Sequence, residues 1–294
     1  MIFMHHILTI IGKHMYLRPS IKNLLALFTV VAILGTTASP STAQIKNLDH
    51  FLCTAVEVFG SENKKYKPNV TDQFSQVDTI IGNMAVICAP ARKIHNGKEF
   101  KPKSFNGPHL ACYWLHNRTS LGRVKKVIQV FDQFHPLGHK GLVGNRQFLC
   151  IPSIKIAEED EGLFPRPKGF DYEREIKKAE AALDHFLCSY SSPRSRARKV
   201  EIELEDQFGT MARPYVRQPR TICAPAVKKL GKTETKTKNG LNGKHLYCYR
   251  FGPLVSTKTE RKKIAVYNQL SKIPQLGEIY RRFMLCVPSD KKLI

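Results

Sequence analysis

Acidic side chains are scarce. The 294 residues hold 24 Asp and Glu against 47 Lys and Arg, a formal net charge of +23. That imbalance disfavours cationic partners and favours anionic ones. Long apolar runs are also missing. Leu24–Gly35 ("LLALFTVVAILG") holds twelve residues, whereas a helix needs about twenty to cross a hydrocarbon core of ~30 Å. The usual chemical signatures are absent as well. The chain has no Gly-x-Ser-x-Gly elbow, no phosphate-cradling Gly-rich loop and no His-Glu-x-x-His, which removes the motif-borne routes to acyl transfer, nucleotide binding and zinc proteolysis. No Cys-x-x-Cys pair offers a structural zinc site.

The twelve-residue run fits a cleaved leader instead. Arg18 and Lys22 flank it on the basic side, and Ser41-Thr42-Ala43 offers small residues for a peptidase. Residues 1–43 are therefore expected to be a signal peptide, with Met15 an alternative start, and the product to be exported with no membrane span. Three bases and no acid leave with the leader, so the remaining chain carries +20. All eight cysteines follow it, and an even number in an oxidising compartment reads as disulfides.

Internal repetition dominates what remains. The cysteines at 53, 88, 112 and 150 are spaced 35, 24 and 38 apart, and those at 188, 223, 248 and 286 are spaced 35, 25 and 38 apart. "LDHFLC" occurs at both Leu48–Cys53 and Leu183–Cys188. Each copy divides again into an opening His-x-x-Cys, a central Asp-Gln-Phe and a closing Cys-x-Pro. The central motif begins at Asp72, Asp132 and Asp206, and becomes Asn268-Gln269-Leu270 in the fourth unit.

Val200–Phe208 ("VEIELEDQF") alternates strictly between apolar and polar residues, as a half-buried strand does. The same parity recurs before Asp132 and Asn268. The expected fold is all-β: two tandem disulfide-stapled β-sandwich or small-barrel domains, 47–153 and 183–290, each of two three-stranded half-units. Residues 154–182 read as a linker containing a short helix, from the strong helix formers of Tyr172–Leu183.

Symmetry favours pairing the cysteines within each half-unit: Cys53–Cys88, Cys112–Cys150, Cys188–Cys223 and Cys248–Cys286. Linking Cys88 to Cys112 and Cys53 to Cys150 is the competing arrangement. Metal is not expected, because His and Cys three apart on a strand point to opposite faces. No cofactor is implied. The Asp of the central motif falls on the apolar face, where a carboxylate needs hydrogen bonds or a catalytic purpose. Asn268 cannot serve as a general base, so Asp72, Asp132, Asp206 and Asn268 read as structural polar groups holding a turn. The sequons at Asn69 and Asn117 are weak patterns.

"DHFLC", "EDQFGT", "ICAPA", "HLYCY" and "LCVPS" together resemble a repeat domain of unknown function found in exported bacterial proteins, over Asn47–Ser153 and Leu183–Ser289. The resemblance implies export and a β-rich domain, and brings no activity with it. Asn268-Gln269-Leu270 departs from that pattern, as does the lack of Tyr-Lys after Cys53 and Cys188. The leading expectation is a non-enzymatic protein whose basic loops hold an anionic polysaccharide, lipopolysaccharide or nucleic acid. Its candidate contacts are Arg194, Arg196, Arg198, Lys199, Lys228, Lys229, Lys232, Lys236 and Lys238. The alternatives are a hydrolase using Asp72 and Asp132, or an adhesive module presenting Tyr113, Trp114, Tyr247 and Tyr249.

Overall fold

A computed structural model of the chain describes residues 48–60, 66–116, 124–158, 169–194, 199–211, 213–252 and 258–294. The segment expected to be a leader, the Asn117 sequon, Arg196 and Arg198 lie outside the described residues. Eight long strands carry one cysteine each: β1 (His50–Val58), β4 (Ile80–His95), β6 (His109–His116), β8 (His139–Ala157), β9 (His185–Pro193), β13 (Tyr215–Leu230), β15 (His245–Phe251) and β17 (Ser271–Leu293). Each pairs antiparallel with the next, and β17 returns to pair with β1. The sheet thereby closes into an eight-stranded barrel without free edges.

Closure distinguishes the fold from two tandem domains. The copies join through β8–β9 and β17–β1, and each contributes half of one ring. Residues 45–294 form a single compact unit. The centres of the units then cross between copies. β2 (Asn69–Asp72) pairs with the end of β13, β7 (Lys126–Phe131) with the end of β17, β11 (Glu203–Asp206) with the end of β4, and β16 (Lys258–Asn268) with the end of β8. Every central motif is therefore held by a closing strand two units away. Short strands β3 (Gln76–Asp78), β5 (Lys98–Phe100), β10 (Val200–Glu201), β12 (Gly209–Met211) and β14 (Thr233–Glu234) complete the local pairings.

The four disulfides are Cys53–Cys88, Cys112–Cys150, Cys188–Cys223 and Cys248–Cys286. In the first, second and fourth, the two residues stand directly opposite in register. At each joint between staples the register slides by two, setting Cys88 opposite Leu110, Cys150 opposite Phe186, Cys223 opposite Leu246 and Cys286 opposite Phe51. These slides supply the stagger that a closed barrel requires. The sulfurs line the lumen with Phe51, Leu110, Phe148, Phe186, Leu246 and Met284 in one buried cluster. Sγ atoms of neighbouring staples touch: Cys53 and Cys286 at 3.7 Å, Cys88 and Cys112 at 3.9 Å, Cys150 and Cys188 at 3.5 Å.

Two further apolar clusters lie outside the ring. Leu52, Ile222, Leu285 and Val287 from the wall meet Ile128, Val130, Ile202 and Leu204 in one. Ile87, Ala111, Leu149 and Leu187 meet Val70, Ile264 and Val266 in the other. The alternating central strands are thus the lids of these outer cores, and the wall strands are buried on both faces. Helix α1 (Tyr172–Ala182), capped by the Asp171 carboxylate accepting from Arg174 N, lies between the copies. Tyr172 stacks on Tyr267 of β16 with centroids 4.2 Å apart. Residues 154–157, read from the sequence as linker, instead extend β8 so that it can pair with β16.

Candidate functional site

The conserved spacing within the chain builds one polar arrangement four times. In each, the oxygen of the central Asp or Asn accepts from the backbone N–H two residues on. Asp72 Oδ1 takes Phe74 N at 2.8 Å and Ser75 N at 3.0 Å, and Asp132 Oδ1 takes Phe134 N at 2.8 Å and His135 N at 3.0 Å. Asp206 and Asn268 take Phe208 N and Leu270 N, each at 2.9 Å. These are side-chain-closed turns. The following Gln reaches the opening His of the preceding unit. Gln133 meets His50 at 2.5 Å, Gln207 meets His109, Gln269 meets His185, and Gln73 closes the circle on His245. Burial, joined by nearby lysines, holds all four imidazoles down to about 3, so they are neutral at physiological pH.

The other polar atom of the motif faces either an arginine or a tyrosine. Arg146 lies 2.7 Å from Asp72 Oδ2, and Arg282 donates to Asp206 Oδ2 at 2.8 Å. Tyr249 donates to Asp132 Oδ2 at 2.5 Å, and Asn268 Nδ2 donates to the Tyr113 hydroxyl at 2.7 Å. Desolvation still raises the Asp72 carboxyl above its ordinary value and Asp206 to about 6, against the pull of their arginines. The carboxylates of Asp72 and Asp132 are each engaged in their own turn, the first with Arg146 and the second with Tyr249.

Sequence reading overlooked a lysine five residues after each closing cysteine: Lys93, Lys155, Lys228 and Lys291. Three lie over the phenylalanine of the next unit's central motif, Lys93 on Phe134 at 4.5 Å, Lys155 on Phe208 at 4.2 Å and Lys291 on Phe74 at 4.9 Å. Such contacts offset part of the cost of burying an ammonium. Desolvation brings Lys93 down to about 7, and Lys155 and Lys228 to about 8. The fourth unit has Leu270 in place of phenylalanine, and there Glu180 of α1 provides the opposing charge for Lys228. Lys228 is 2 % exposed. It belongs to the core and not to the basic loop where the sequence alone placed it.

The His135-x3-His139 spacing also escaped notice. The His135 and His139 rings stand 4.6 Å apart, and His135 Nδ1 lies 2.9 Å from the Tyr249 hydroxyl. Among the described residues no group of three His, Cys, Asp or Glu is placed to hold a metal ion. Of the aromatics considered for adhesion, Tyr113, Tyr247 and Tyr249 are buried in the walls, and only Trp114 is exposed, at 44 %.

The remaining basic candidates divide by place. Arg194 is exposed beside Lys140, whose carbonyl accepts from its backbone N–H at 3.0 Å. Lys199 pairs with Glu201 at 3.3 Å and lies over Tyr215. Lys229, Lys232, Lys236 and Lys238 are exposed on the β13–β14 hairpin and the loop beyond it, anchored where Lys238 N donates to Asp184 Oδ1 at 2.8 Å. Among the described residues none of the four forms an ion pair. The matching β4–β5 hairpin differs, because β11 sets Glu205 against Arg92, and Glu99 pairs with both Arg92 and Lys101. Where β11 carries Glu203 and Glu205, β2 carries Asn69 and Thr71.

No helix among the described residues is long and apolar enough to cross a membrane. No protein-family model, curated protein or solved structure matches the chain. Architecture therefore gives the class alone: a closed antiparallel barrel of four stapled units.

Proposed function

We propose that this is an exported, non-enzymatic binding protein whose β13–β14 hairpin holds an anionic polymer outside the cell. The observation that carries the reading is the exposure of Lys229, Lys232, Lys236 and Lys238, none in an ion pair among the described residues though Glu234 stands opposite Lys229, beside the Asn69 and Thr71 of β2 where β11 carries glutamates. Lysines held in a network would be spent on the fold, as Arg92 is in the matching hairpin. Four exposed ammonium groups on the hairpin and the loop beyond it instead displace counterions from a polyanion. The expected leader supports export, and four disulfides accord with it. The likeness to repeat domains of exported proteins supports the same compartment.

The test is retention on immobilised heparin and binding of a DNA duplex as salt is varied. With four phosphates neutralised, DNA affinity falls roughly a hundredfold between 50 and 200 mM salt. Changing the four lysines together to glutamine removes most of that dependence while leaving the melting temperature in place, since all four are exposed. Binding indifferent to salt, or unaltered in the quadruple variant, refutes the reading.

A further inference from the structure

The pseudo-symmetry of the barrel is broken at one mouth. Beside the bulges of β8, between Val143 and Arg146 and between Arg146 and Phe148, a recess of about 450 Å³ opens against β9. Gly144, Asn145, Gln147, Tyr190 and Lys125 line it. Counting back from the closing cysteine, the second copy has Tyr280 where the first has Gly144, and Phe283 where it has Gln147. The strand facing it there is β1 of the first copy, which, counting on from the opening cysteine, has Ala55 where the recess has Tyr190. Gly144 is needed for the opening, because a Cβ there would stand 3.3 Å from Tyr190 Cδ1. At the β17–β1 joint the barrel closes with Tyr280 and Phe283 on one strand and the small Ala55 on the other, so the lining of the recess is not a requirement of the fold.

The lining has a definite chemistry. Tyr190 presents a ring whose hydroxyl accepts from Arg220 Nη1 at 2.8 Å, fixing its plane. Asn145 and Gln147 supply amide donors and acceptors. Lys125 brings an exposed cation on a backbone held at φ 41°, a conformation that side chains other than glycine seldom adopt and that clusters at binding sites. Trp114 and Arg250 stand at the same step after their opening cysteines as Tyr190 does, and both are exposed. An aromatic face, paired amides and a cation suit the apolar face, hydroxyls and acid group of one sugar. The volume lies in the range of small-ligand sites.

We propose that this recess binds an acidic sugar residue, carboxylated or sulfated, of an anionic glycan. The proposal deepens the polymer reading by naming the repeating unit, and it places that unit away from the lysine hairpin. Titration of the purified protein with trigalacturonate, maltotriose and a DNA trinucleotide, followed by NMR or calorimetry, tests it. Trigalacturonate is expected to bind, and to bind at least tenfold more tightly than maltotriose or the trinucleotide. Gln147→Phe, which installs the residue found at the matching place in the second copy, should weaken it at least tenfold. Lys125→Glu, at an exposed position with little bearing on folding, should do the same. The quadruple lysine variant should bind trigalacturonate unchanged, so failure of the hairpin reading and failure of this one are separable. No binding of trigalacturonate, equal binding by both recess variants, or preference for the trinucleotide overturns the proposal.

Discussion

At the scale of single residues, the fourfold polar motif places buried and half-buried Asp, Asn, Gln and His side chains where each meets a partner. The central Asp closes a turn, its second oxygen meets Arg or Tyr, and the adjacent Gln meets a neutral His. The histidines make stability depend on pH with a definite sign. Their folded values near 3 lie below the ordinary 6.5, so between those limits the unfolded chain takes up protons that the folded chain refuses. Stability therefore falls as pH drops below about 6.5, by at most about 1.4 kcal/mol per histidine for each pH unit. Asp206, raised to about 6, and Asp49, Asp72 and Glu180, also raised, act in the opposite sense below pH 6, but His95 and His139 are lowered too, and six imidazoles outweigh four carboxyls. The melting temperature should fall measurably from pH 7 to pH 5 at constant ionic strength. A flat profile would mean that the imidazoles are charged in the folded state.

At the scale of elements, strands were legible in the sequence and their partners were not. Period-two alternation marks β11, β7 and β16 as lids with one apolar face. The wall strands, buried on both sides, read only as short apolar stretches around cysteine. Which edge a lid joins is decided by register with a strand far away in the sequence, and no local pattern encodes it. The same limit concealed Lys228, which composition places in a basic loop and the β13–β2 pairing places in the core. The candidate hairpin lysines could be found from charge alone. The recess could not, since it arises from what Gly144 omits. Helix α1 has a comparable compensating part, through Glu180 beside Lys228 where the aromatic is missing. Glu180→Gln should cost about 1–2 kcal/mol in urea unfolding, less than the 3–5 of fully buried pairs because Glu180 is only half buried. The Lys228 amine should also titrate lower in NMR, while Lys93, stacked on two rings, stays unchanged. An unmoved Lys228 would show that α1 plays no electrostatic part.

For the molecule as a whole, exchange of lids between copies means that neither copy is complete. Residues 47–153 supply β2 and β7 but lack the closing strands that hold them, and 183–294 lack the reciprocal partners. Each fragment alone should remain unfolded or assemble as a pair reproducing the ring, as judged by light scattering and amide exchange. A folded, monomeric single copy would contradict the pairing. Every staple adds to this cooperativity. Loops of 35 and 38 residues correspond to about 4 kcal/mol of closure entropy each, an upper figure.

The Gln–His relay passes from each unit to the one before it and returns from the first to the fourth. A head-to-tail contact of this kind ends in a ring only at a fixed number of members, and here that number is four. The polypeptide is thus the covalent form of a cyclic tetramer. Covalent linkage lets each quarter carry its own side chains, so that Gly144 and Gln147 stand at the β8–β9 joint where the β17–β1 joint carries Tyr280 and Phe283.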